Sequence, residues 1–284
     1  MSLESAADEL LAAVEASPRA VAAHDKAAWV GLFTADAVVN DPVGSRPHIG
    51  TAAIERFYDT FIAPNTIAFH VERDIVGPAT VLRDLTIETT MSTGATVAVP
   101  MHLRYDLVEQ DGVWKIAHLA AHWELGAMIM QLLRTGLPGI GAALKLGPQL
   151  IAHQGVGGVA GMMRALLGVG GSGKREAARV FSAAAATDIG RVRALLGGGT
   201  VIELPAGTPI SVEEFTNRAR NMRWHKLIAA GRTVTATVDI DAARGVAVVE
   251  FAAGANRVTG ISLFLDTGAA HRRMPAHRQH GTAG

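Results

Sequence analysis

Apolar residues return to one side of a helix through the first thirty positions. Leu10, Leu11, Val14, Val21, Trp29 and Leu32 recur at helical spacings, which predicts helix from Ala6 to Phe33. A break is expected near Ser17-Pro18, with Ser17 capping a helix that Pro18 begins. Asp25 is expected to open a short helix ending near Phe33. A strand is predicted over Ala37–Asn40 and a third helix over Thr51–Ile62. Four further strands are predicted over Ala68–Val76, Thr80–Thr90, Thr96–Val108 and Val113–Trp123. Gly77-Pro78, Ser92-Thr93-Gly94 and Gln110-Asp111-Gly112 supply the turns between them. Helices first and antiparallel strands after predict an α+β fold, with helices on one face of a curved sheet.

The pattern then recurs. Asp25, Leu32, Val38, Pro42 and Gly44 align without a gap on Asp188, Leu195, Val201, Pro205 and Gly207, and apolar strands follow over Thr233–Ile240, Gly245–Ala252 and Arg257–Leu265. A tandem duplication is the simplest account: a first domain over 1–126, a Gly-rich helical linker over 127–173, a degenerate second copy over 174–267, and a disordered tail over 268–284. The copy is expected to lack a counterpart of Val113–Trp123 unless part of the tail pairs as a strand. Leu204 takes the place of Asp41, and Glu203 beside it faces the opposite way, so the copy is expected to be a structural or binding domain.

Composition narrows the function classes. The 284 residues suffice for two cores, and 26 Lys plus Arg against 26 Asp plus Glu leave no basic excess for nucleic acid. Absence of cysteine excludes disulfides, thiolate catalysis and Cys-ligated zinc. The acidic Met1–Glu15 segment lacks a signal-peptide pattern, so a cytoplasmic location is expected. The linker carries no acid between Glu124 and Glu176 but includes Arg134, Lys145 and Arg164. Pro, Gly, Gln and His interrupt every span of about 20 apolar residues, so helices covering a pocket, or shallow docking of 127–172 on an anionic membrane, are the readings it allows. Gly170-Gly171-Ser172-Gly173-Lys174 does not fit a phosphate loop and reads as flexible linker.

Asp41 is the leading chemical candidate. It follows the apolar Ala37–Val39 run and precedes a Pro/Gly turn, where lost hydration raises a carboxylate's pKa toward that of a general base. His118 and His122 share one face of a strand, about 13 Å apart along it, too far for one metal ion. Ala117, Leu119, Ala121 and Trp123 occupy the other face, and periodicity leaves open which face turns inward.

Asn40-Asp41-Pro42-Val43-Gly44-Ser45 followed by Gly50-Thr51-Ala52-Ala53-Ile54-Glu55-Arg56-Phe57-Tyr58 resembles the corresponding stretch of bacterial ketosteroid isomerases. These are, with SnoaL-like proteins and polyketide cyclases, members of the nuclear transport factor 2-like superfamily. The resemblance implies two cone-shaped domains and a cofactor-free, metal-free allylic proton transfer of the steroid delta-isomerase type, with Asp41 as base. It also implies an apolar steroid-like or polyketide-like ligand, and pairing through sheets as a homodimer or an internal pseudo-dimer. Ungapped counting places the family's oxyanion Tyr at Ser17 and its protonated Asp at His102, while Tyr58 matches a supporting Tyr. Tyr58 and His102 are therefore the expected electrophiles, and Ser17, Trp29, Phe57, Ala121 and Trp123 the expected ligand contacts. A non-catalytic carrier of such lipids, a polyketide cyclase and an epoxide hydrolase are the alternatives that the same resemblance carries.

Overall fold

The computed structural model describes residues 3–135, 161, 164–254 and 257–266. Helix α1 (Leu3–Ala22) runs straight through Pro18, so the expected break is absent. The physical reason is burial. A proline inside a helix costs about 3 kcal/mol, whereas fully burying apolar side chains such as Leu10, Val14 and Val21 contributes about 2 kcal/mol apiece; all three are almost fully inaccessible. Ser17 lies on that buried face instead of capping a helix.

Asp25 does cap the next helix, α2 (Lys26–Val30), accepting from the Ala28 amide at 2.8 Å. Strand β1 (Phe33–Asn40) and the short β2 (His48–Ile49) precede α3 (Thr51–Phe57), which continues as a π-helical turn over Tyr58–Ile62. Four long strands complete the first sheet: β3 (Asn65–Val76), β4 (Thr80–Met91), β5 (Thr96–Gln110) and β6 (Val113–His122). Their order is β2-β1-β6-β5-β4-β3, with β1 parallel to β6 and all other neighbours antiparallel. Helix α4 (Leu125–Arg134) follows, and a 3₁₀ turn occupies Arg164–Leu167. Most of the expected linker and the whole tail lie outside the described residues.

The Gly170–Lys174 stretch is helical rather than a flexible connection: it is the first turn of α5 (Gly170–Ala185). Gly173 is buried there because a Cβ would lie 2.4 Å from Val169 Cγ2 and 3.3 Å from Val234 Cγ2. Then come α6 (Ile189–Leu196), capped by Asp188, β7 (Val201–Glu203), α7 (Val212–Arg218) and four strands: β8 (Arg223–Ala230), β9 (Thr233–Ile240), β10 (Ala243–Phe251) and β11 (Val258–Leu265). Their order, β7-β11-β10-β9-β8, with β7 parallel to β11, repeats the connectivity of the first sheet. The copy does not end early: β11 is the counterpart of Val113–His122. Sequence reading missed the short β2 and β7 and also β8, whose alternation is disturbed by a register shift between His225 and Ile228.

Both domains bury their helices against one face of their sheet, and the opposite faces of the two sheets meet. Ile75 and Leu82 pack with Val246 and Phe264 across that contact. Arg73 pairs with Asp266 at 2.9 Å, and the Arg104 guanidinium lies 5.3 Å above the Phe264 ring. The centre is polar: Lys226 Nζ donates to Asp84 Oδ1 at 2.5 Å and to the Leu85 carbonyl at 2.7 Å. A charge so enclosed needs that pairing to offset its lost hydration.

Candidate active site

Period-two alternation along β5 sends Val99, Met101, Leu103 and Tyr105 inward, and they wall a cavity of about 160 Å³ between the sheet and the helices. Asp41 enters it from the end of β1. The turn that carries Asp41 is tied to β6 by Val43 N donating to the Ala121 carbonyl at 2.9 Å. Asp41 Oδ1 accepts from Trp123 Nε1 at 2.6 Å, and both side chains line the cavity. Burial raises the Asp41 pKa from an ordinary 3.8 to about 6, and the Trp123 hydrogen bond opposes only part of that rise. The surface that Asp41 still exposes belongs to the cavity wall, so its partial accessibility and its strong desolvation describe one situation.

A second polar group lies on the same wall. Trp29 Nε1 donates to Ser17 Oγ at 3.1 Å, and the Ser17 hydroxyl is in turn a hydrogen-bond partner of Tyr105. Burial raises the Tyr105 pKa, while Arg83 and the Ser17 bond counteract it; the Asp41 charge acts on the same phenol. Arg83 is itself buried beneath, held by Asp74 through two bonds of 2.6 and 2.9 Å. Sequence reading missed Tyr105. Its signal was there, since it shares the alternation of Val99, Met101 and Leu103, but no motif residue marks it.

Of the expected ligand contacts, Ser17, Trp29, Phe57 and Trp123 line the cavity. Ala121 does not; it is buried behind the wall. Leu119 and Trp123 settle the open question of β6: their face turns inward, and that of His118 and His122 turns outward.

The two expected electrophiles are not brought to the cavity. Tyr58 is buried beside Trp29, ring centroids 5.6 Å apart, and is not part of the cavity wall; its hydroxyl has no hydrogen-bond partner among the described residues. His102 is a correction by register: one step from Met101 and Leu103 on β5, it points to the opposite face, into the second domain. Its bonding pattern can be deduced. Thr237 Oγ1 gives its one hydrogen to Asp84 Oδ2 at 2.7 Å, so it accepts from His102 Nε2 at 3.1 Å. Nδ1 then accepts from Thr235 Oγ1 at 2.7 Å. Burial, with Lys226 and His225 nearby, lowers the His102 pKa to about 3. The imidazole is neutral, both nitrogens are used, and Lys226 rather than His102 is the counter-ion of Asp84, although His102 Nε2 lies 3.5 Å from that carboxylate.

The second domain presents no equivalent acid. Leu204 stands where Asp41 does and is buried among Phe181, Phe215 and their neighbours. Glu203 Oε2 accepts from the Gly207 amide and from Ser262 Oγ, a turn-closing role.

A cone of helices on a curved sheet with an acid inside its apolar hollow defines the nuclear transport factor 2-like class. Residues 14–118 match the SnoaL-like domain, and through this first domain the chain belongs to that family. Its first half is similar to the Δ5-3-ketosteroid isomerase of Mycobacterium sp., with 31% identity over 42% of this chain and 96% of that one and a TM-score of 0.39. It is also similar to a Mycobacterium tuberculosis protein in complex with estradiol-17beta-hemisuccinate, with 28% identity over 42% of this chain and 95% of that one and a TM-score of 0.38. An epoxide hydrolase of M. tuberculosis shares 20% identity over 49% of this chain and 96% of its own, with a TM-score of 0.40.

Proposed function

We propose that the first domain is an enzyme that binds a steroid-like or polyketide-like ketone and moves a proton between two carbons of it. Asp41 carries the reading: it is the one acid among the described residues lining the cavity, and burial holds its pKa at about 6. Ionised above that pH, it is a stronger base than an ordinary carboxylate and is regenerated when the proton is returned, so no cofactor is consumed. Tyr105 is the donor to the oxygen that becomes negative. Ser17 Oγ accepts from Trp29 and, in this reading, donates its own hydrogen to the phenol oxygen, the sense in which that bond lowers the Tyr105 pKa; the phenol hydrogen is then left for the ligand. Asn65 and Thr89 line the cavity elsewhere; the strand partner of Thr89 is Val97, about 13 Å along β5 from Met101. A long apolar skeleton with polar groups at both ends fits that spacing.

The test is the ultraviolet absorbance of the conjugated enone formed from a β,γ-unsaturated 3-ketosteroid. Loss of the base in Asp41→Asn is expected to lower turnover by about 10²–10⁴, and loss of the donor in Tyr105→Phe by about 10²–10³. The rival reading, a carrier, is favoured by the placement of His102 and Tyr58 off the cavity. It predicts ligand binding indifferent to Asp41→Asn and no absorbance change.

We also propose shallow contact with an anionic membrane beside the cavity. Met128 of α4 lines the hollow, while Met130, Leu133, Leu166 and Leu167 are exposed on α4 and the 3₁₀ turn, near Arg134 and Arg164. No helix among the described residues is long and apolar enough to cross a membrane. Leu133→Glu with Leu167→Glu is expected to abolish flotation with phosphatidylserine vesicles; unchanged flotation rules the contact out.

A further inference from the structure

Although it holds no acid of its own at the matching place, the second domain touches the Asp41 site more closely than any sequence motif suggests. The tip of its β8–β9 hairpin, Ala230 to Thr233, is seated on the turn that carries Asp41. Gly44 has φ +95° and Gly231 has φ +55°; a Cβ on Gly44 would lie 2.4 Å from Gly231 Cα, and a Cβ on Gly231 would lie 2.6 Å from Gly44 Cα. Two backbones approach this closely only where both residues are glycine. A third glycine completes the contact, since a Cβ on Gly168 would lie 2.3 Å from the Gly231 carbonyl oxygen, which also accepts from Val169 N at 2.8 Å.

The same hairpin grips the donor to Asp41. Trp123 is flanked by two residues that reach the second domain. His122 Nδ1 meets Thr233 Oγ1 at 3.2 Å, and Glu124 Oε1 accepts from Ala229 N at 3.1 Å. Glu124 also pairs with Lys174 of α5 at 2.5 Å. Base and indole therefore sit on separate segments, the turn after β1 and the end of β6, and one hairpin holds both.

We infer that the second domain is a positioning clamp: Gly231, Thr233 and Ala229 fix the Asp41 turn against Trp123 and so set the 2.6 Å bond between carboxylate and indole. The inference deepens the proposed function by giving the apolar copy a task in it: it supplies no reacting group but holds the reacting group still. A reacting geometry is sensitive to displacements of about 1 Å, which a hairpin packed backbone to backbone suppresses.

The experiment reads the bond rather than turnover. Hydrogen exchange of the Trp123 indole N–H is followed by ¹H–¹⁵N spectroscopy on the full chain, with the Trp29 indole, bonded to Ser17, as internal reference. Gly231→Val, Thr233→Val and Glu124→Gln are each expected to speed exchange at Trp123 by about tenfold or more and leave Trp29 unchanged. If Gly231→Val fails to fold, the two milder variants decide. Phe215→Leu, which loosens the second core away from the hairpin, is expected to lower Tm without freeing Trp123. Unchanged exchange in folded hairpin variants overturns the clamp, and so does equal release in Phe215→Leu. A wild-type protein that fails to isomerise a ketosteroid yet shows the selective release refutes the proposed chemistry alone.

Discussion

Asp41 faces two opposed demands. As base it must be ionised, yet its surroundings favour the protonated form, so kcat/KM is expected to rise with pH through about 6 and level off above. A flat profile between pH 5 and 8 would remove Asp41 from the rate. The same shift fixes a stability sign. The native pKa lies above the unfolded one, so the native state holds the proton more tightly, and stability falls as pH rises from about 4 to 6. Asp41→Asn removes that penalty and keeps an acceptor for Trp123. It is expected to stabilise the protein at pH 7.5 by up to about 3 kcal/mol and to be nearly neutral at pH 4. Thermal unfolding at both pH values checks it; destabilisation at pH 7.5 would show that the carboxylate is not desolvated.

At the scale of elements, α1 shows where local signals lose to packing. Ser17-Pro18 reads as a helix start, but Leu10, Val14, Ser17 and Val21 form one buried stripe that carries the helix through the proline. Pro18→Ala restores a missing N–H donor and is expected to raise Tm by several degrees, because Pro18 is only half-buried and the ring clash is removed. A lowered Tm would mean that the proline is needed for the helix's path. Strand β5 teaches the converse. Its alternation was legible and assigns faces without ambiguity once any one inward residue is known. One face of β5, from Val97 to Leu107, is buried throughout, and on the other face His102 is the buried residue, covered by the second domain. His102 was expected at the site from ungapped counting to the family's Asp, which set the alternation aside, and Tyr105, on the alternation's apolar face, was overlooked.

For the whole molecule, the contact between the sheets is the acid-sensitive part. Burial lowers the pKa of His102 and of His122 to about 3; for His122 the cations Arg104 and, when charged, His102 and His118 add to the effect. Both native values lie below the unfolded value near 6.5, so their stabilising contribution is complete above that pH and is lost as pH falls toward 3. Wild-type stability is expected to decline between pH 6.5 and 4. In His102→Asn with His122→Asn the decline should be shallower, even where the absolute stability is lower. Parallel pH profiles for the two proteins would place the acid sensitivity elsewhere.

The amino-acid sequence by itself determined the elements with strong periodicity, the duplication over Asp188–Gly207, and the acid at the end of an apolar run, because helix and strand periods and turn chemistry act within a few residues. Tertiary structure decided the rest. What covers His102 on the outer face of β5, which hydroxyl shares the cavity with the acid, and which glycines let one domain rest on the other depend on what lies opposite in space, and for Gly44 the opposing residue, Gly231, is far away in the chain. Short-range spacing carries no record of such partners, since each is chosen by the surface it must cover.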